Sequence, residues 1–199
     1  MSVQPRARRV RSSDPRVILE IAAEVFSANA AASLADVAAA AGVGRTTLHN
    51  RFPTREALLL AVAHDALDRC AAVIEDARLT EVAATPDDVR AALSRFIEAM
   101  IPLGPRIEFL LRQPELDLDK ELAARTDQLD KPMEEFVHRA QHTGALRPGV
   151  PAWWAVSTLY ALIYAAWEAI TAGRLAPRDA APLVLDTTLG GIGPLESCQ

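Results

Sequence analysis

Apolar residues along this chain recur every three or four positions, the period that lines up one face of a helix. Val17, Ile18, Ile21, Ala22, Val25 and Phe26 form the first such stripe. It opens at Asp14-Pro15, a cap acceptor followed by a proline whose missing N–H costs no helical bond. Asn29 is expected to end it in the left-handed conformation that asparagine tolerates. A second helix opens at Ser33, with Asp36 three residues on as a partial capping box. It buries Leu34, Val37, Ala38 and Ala41 and stops at Gly42. After Gly42-Val43-Gly44 a short third helix runs from Arg45 to Phe52 and is closed by Pro53, and Thr54 caps a long fourth reaching about Arg78.

The pattern continues in the second half. Thr85-Pro86-Asp87-Asp88 starts a helix with Val89, Leu93, Phe96 and Met100 on one face, and Ile101-Pro102-Leu103-Gly104-Pro105 breaks it. Further helices are predicted over about 106–113, 119–142, 151–172 and 178–189, with Pro132 forcing a kink or restart in the second of them. No segment alternates long enough to be a strand, and no repeat is present. The expected fold class is all-α.

Composition agrees: half the residues are apolar, aromatics make up 5% and charged residues 24%, a balance that suits a packed core rather than a disordered chain. The net charge of −5 argues against a nucleic-acid partner until it is divided. Residues 1–56 hold eight arginines against five acids, net +3, and the remainder holds 13 basic against 21 acidic residues, net −8. A small basic part on a larger acidic one points to nucleic acid. Residues 1–13 read as a disordered basic arm, and the Arg-rich start has no apolar core of the kind a secretory signal needs. The apolar run from Ala152 to Trp167 is short for a membrane span, so no membrane partner is expected. Cys70 and Cys198 have no metal or redox spacing and fit a reducing cytoplasm.

The informative stretch runs from Ser33 to Leu58. Two short helices meet at a tight turn, with Ala38, Ala41 and Gly42 small where they cross and Val43 and Leu48 filling the gap. The third helix then presents Arg45, Thr46, Thr47, His49, Asn50 and Arg51, all able to hydrogen-bond, as a helix entering a major groove must. With Ile18 to Phe26 upstream, residues 15–60 resemble the TetR family of regulators. The resemblance implies a helix-turn-helix domain over 14–56 and a helical ligand-binding and dimerisation domain over 57–199. It also implies base reading by Arg45, Thr46, Thr47 and Asn50, and phosphate binding by Ser33, His49, Arg51 and Arg55. His49 stands where the family usually has Tyr, Arg55 where it usually has Lys, and Asn29 where Gly is more usual.

The same resemblance implies a double-stranded operator, a small-molecule effector and a homodimer paired through the last two helices. Trp153, Val156, Tyr160, Ile163, Trp167 and Ile170 are spaced alternately three and four apart, an a/d seam suited to a partner helix, or else to a buried core helix of the monomer. The larger apolar residues outside that seam, Phe96, Met100, Phe109, Leu110, Phe136, Trp154 and Tyr164, are expected to line a cavity for an apolar effector. His138 and His142 lie four apart but lack a third ligand, so neither a metal nor a cofactor is expected. The rival reading is a helical carrier or enzyme whose first helices are merely structural. No catalytic constellation supports the enzyme.

Overall fold

A computed structural model describes residues 14–80, 85–113, 116 and 119–192. The basic arm and Cys198 lie outside the described residues. Among those described there are nine α-helices and no strand. They are α1 (Pro15–Ala28), α2 (Leu34–Ala41), α3 (Arg45–Arg51), α4 (Arg55–Asp76), α5 (Pro86–Met100), α6 (Gly104–Arg112), α7 (Lys120–His142), α8 (Ala152–Thr171) and α9 (Pro177–Ile192), with the 3-10 turn Ile101–Leu103 joining α5 to α6.

Local chemistry sets the boundaries. Asp14 accepts from the Arg16 N–H at 2.9 Å, with Pro15 in the first turn. Ser33 and Asp36 make a complete capping box: the Ser33 N–H donates to the Asp36 carboxylate at 2.8 Å, and the Asp36 N–H to the Ser33 hydroxyl at 3.3 Å. Gly42 adopts φ +64°, so Val43 N–H reaches the Ala38 carbonyl and α2 closes in a Schellman turn that a side chain would strain. Asn29 ends α1 differently from expectation. Its backbone is extended at φ −148°, because its side-chain oxygen turns forward to accept from Ala31 N–H at 3.0 Å. Neither Pro132 nor Pro182 breaks its helix: α7 and α9 run through them.

Two apolar clusters hold the molecule. The first joins α1, α2 and α3 to the start of α4 through Ile18, Phe26, Val37, Leu48 and Leu58, and it includes Phe109 from α6 and Leu122 from α7. The second gathers the rest of α4 with α5, α7, α8 and α9 around Phe96, Met133, Phe136 and Ile163. The step between them falls inside α4, with Leu67 in one cluster and Ile74 in the other. A single continuous helix therefore belongs to both parts. Around it lie polar clasps: Arg106 of α6, almost buried, pairs with Asp65 of α4 at 3.2 Å, and Arg125 of α7 bonds to His64 and Asp68 of α4.

Candidate nucleic-acid interface and interior cavity

Only Leu48 of α3 is buried, and that one anchor, with Phe52 just beyond, sets how the helix is turned. Arg45, Thr46, Thr47, His49, Asn50 and Arg51 are all exposed, so the six polar side chains singled out from sequence share one solvent-facing surface. Arg45, Thr46 and His49 border a shallow concavity with Leu34 and Ala35, so the start of α2 and the outer face of α3 form one surface. Arg45 lies near enough to Asp36 to help hold that carboxyl below its usual range, after the larger effects of hydrogen bonds from Ser33.

Two of the expected phosphate ligands are otherwise engaged. The Ser33 hydroxyl donates to Asp36 at 2.7 Å while capping α2. Arg55 turns inward: its Nε donates to the Ala32 carbonyl at 3.0 Å, an η nitrogen donates to the Ala30 carbonyl, and the guanidinium lies 5.3 Å from the centre of the Phe26 ring. Arg55 thus fastens the start of α4 to the α1–α2 loop. The reason is local, since the loop's carbonyls have no helical partners and a planar donor fork beside them fills the gap.

A cavity of about 680 Å³ lies where the two clusters meet. Leu67 and Cys70 of α4, Met100 of α5 and Ile107 and Leu110 of α6 give it an apolar floor. Asp127 and Asp130 of α7 face Ser157, Tyr160, Ala161 and Tyr164 of α8 around the rest. Asp127, Ser157 and Ala161 are also exposed to solvent, so the cavity opens between α7 and α8. Burial pushes the Cys70 thiol up to about 11, which leaves it an unreactive wall residue.

Of the seven expected lining residues, Met100, Leu110 and Tyr164 reach this cavity and four do not. Phe109 points the other way, its ring 6.1 Å from that of Phe26 on α1. Phe96 lies behind the wall, edge-on to Tyr160 at 6.2 Å, and Phe136 is closed into the core. Trp154 is outside altogether, 54% exposed. The expected dimer seam lies mostly against the monomer's own interior. Val156 and Ile163 are buried within the monomer, Tyr160 lines the cavity, and Trp167 and Ile170 pack against the core, leaving only Trp153 exposed. α8 is apolar on nearly every side, and most of its a/d stripe is covered within the monomer. The face that does remain open carries Trp154, Ala161 and Ala165 of α8 and Leu183 and Thr187 of α9. His138 and His142 are exposed on α7, the ring of His142 bonded to the His138 carbonyl at 2.6 Å.

α6 touches everything that matters. Its cavity side carries Ile107 and Leu110; its other side carries Phe109 against α1 and Arg106 against α4. At its start the Ser27 hydroxyl of α1 donates to the Pro105 carbonyl at 3.1 Å. Gly104 lies so close beneath Trp167 of α8 that even a methyl group there would overlap the indole.

The profile described as bacterial regulatory proteins, tetR family, matches residues 18–62, the span from α1 into α4. Over 163 residues, 82% of each chain, the protein is 39% identical to the HTH-type transcriptional repressor LfrR of Mycolicibacterium smegmatis. The chain belongs to the tetR family. A solved structure of the TetR-like regulator LfrR from Mycobacterium smegmatis in complex with proflavine superposes with a TM-score of 0.74 at 35% identity, covering 93% of this chain and 99% of that one. The TetR family regulator PfmR from Thermus thermophilus matches with a TM-score of 0.63 at 25% identity, covering 90% of this chain and 96% of that one. As a tetR-family member the protein is a DNA-binding transcription regulator, not an enzyme, and α2 and α3 are its helix-turn-helix. Among the described residues no helix is long and apolar enough to cross a membrane.

Proposed function

We propose that this protein is a homodimeric repressor that leaves its operator when an aromatic small molecule enters the cavity between α4, α6, α7 and α8. The observation that carries this reading is the placement of α6, one side on the cavity and the other on α1. An occupant that pushes Ile107 and Leu110 moves Phe109 and Arg106 with them, and so shifts α1 and α4 beneath the recognition helix. The size of the response is bounded by the effector's preference between the two arrangements. The LfrR relative is named a repressor, and its structure holds proflavine, which supports both the sign of regulation and an aromatic occupant.

On DNA, two copies of α3 would enter successive major grooves about 34–36 Å apart. Arg45, Thr46, Thr47 and Asn50 read bases in this arrangement, and His49 and Arg51 hold phosphates, while Ser33 and Arg55 support the fold. The second subunit covers the open face of α8 and α9. Since the target is chromosomal DNA, the site of action is the cytoplasm.

The test is selection of bound duplexes from a random pool, followed by challenge of the complex with proflavine. An unrelated DNA-binding protein on the same duplex controls for intercalation. An enriched palindromic sequence, released by proflavine well beyond the control, is the expected result. A pool without enrichment overturns the operator reading, and release no greater than the control overturns the effector reading.

A further inference from the structure

The cavity walls are mostly apolar, yet their charge is of one sign. Asp127 and Asp130 line the cavity, and no lysine, arginine or histidine among the described residues does. Neither carboxylate has an ion-pair partner among the described residues. Burial, then the charges of Glu134 and Asp127, raise the Asp130 carboxyl above its usual range, so nothing nearby compensates its charge. On the α8 wall the hydroxyl of Tyr160 is buried and has no hydrogen-bond partner. Burial first, and the Asp130 charge next, push the Tyr160 phenol up, which puts the two groups within electrostatic reach of each other. An orphaned buried hydroxyl beside an uncompensated carboxylate is a defect in a closed core and an asset in a binding site.

We propose that Asp130 and Tyr160 form the recognition point of the cavity, and that the effector is an aromatic cation bearing an N–H group. This rests on reading the cavity as the effector site. The N–H groups of such a cation can donate one hydrogen to the Asp130 carboxylate and another to the Tyr160 oxygen, satisfying both. An anion would meet Asp127 and Asp130 without relief. A neutral apolar molecule would strip water from Asp130 and leave Tyr160 unpaired, which costs affinity. The rings of Tyr160 and Tyr164, one turn apart on α8, add faces to which a flat cation is drawn.

The test is calorimetry on the full chain without DNA, using the aminoacridinium cation proflavine and the neutral tricycle acridone. Wild type should bind the cation at least about tenfold more tightly than acridone, the scale of one charged hydrogen bond. Asp130→Asn should lose about tenfold for the cation and keep acridone within about twofold, and Asp130→Glu should restore part of the loss. Tyr160→Phe should weaken the cation alone. Equal cation affinity in wild type and Asp130→Asn overturns the proposal, as does equal affinity of wild type for the two probes. In those cases release of the selected duplex by either probe would still uphold the cavity as the effector site. If neither probe binds wild type, the proposal and the cavity reading fall together.

Discussion

Asp130 is held at a disadvantage. Its carboxyl is raised by burial and by its acidic neighbours, so the folded chain takes up a proton at this residue more readily than the unfolded chain does. Between the ordinary carboxylate range and the raised value, stability therefore falls as pH rises, and at neutral pH the full cost is present. Asp130→Asn should melt above wild type at pH 7, with the gap closing as pH falls to the ordinary carboxylate range; melting curves at a series of pH values read this directly. Arg55 behaves in the opposite way, since its interactions are made within the fold. Loss of its bonds to Ala30 and Ala32 and of its place over Phe26 should cost about 1–3 kcal/mol in denaturant unfolding. Arg51→Ala should lower the salt slope of duplex binding by about one unit per subunit, while Arg55→Ala, compared well below its melting point, should leave it nearly unchanged. Neither behaviour was legible in the residues alone. An aspartate on an amphipathic helix reads as a solvated face, and an arginine at a helix start reads as a phosphate ligand, until burial and nearby carbonyls are seen.

At the scale of the element, the helices were readable because each carries its own start and stop. Asp14-Pro15, Ser33 with Asp36, Gly42, Thr54 and Thr85 with Asp88 all act where the local pattern placed them. The recognition helix was readable for a further reason: with Leu48 its single buried residue, its outward face follows from one apolar position. Arg45 on that face should read one base pair. Arg45→Ala should relax preference there by about 1–3 kcal/mol, measured by competition against single-base variants of the selected site. α8 was not readable in the same way. Its mean composition is apolar all round, so the heptad spacing of Trp153 to Ile170 marks a packed stripe without saying what packs on it. Only the packing of the neighbouring helices decides that most of this stripe turns inward.

At the scale of the molecule, the proposed dimer puts the second chain on the open face of α8 and α9. Trp154 and Leu183, 54% and 53% exposed, are its large apolar members, and small residues around them allow close approach. Trp154→Glu combined with Leu183→Glu should give monomers in sedimentation that lose operator affinity while keeping the helical spectrum of the parent. Dimers of unchanged affinity would place the partner elsewhere. Tyr160→Glu, in contrast, should disturb the cavity and leave assembly intact.

The contact of Gly104 with Trp167 has a genetic consequence. One added methyl must displace either the indole or the start of α6, and that helix bears on α1 through Ser27 and Phe26 and on α4 through Asp65. Gly104→Ala should therefore act as a built-in inducer: a folded dimer with weakened operator affinity, reduced further response to proflavine, and constitutive expression of a reporter placed behind the operator. A screen for such always-on alleles should return codon 104, a position that touches neither DNA nor the cavity. Its second-site suppressors should cluster at Trp167, where a smaller side chain gives the methyl its room.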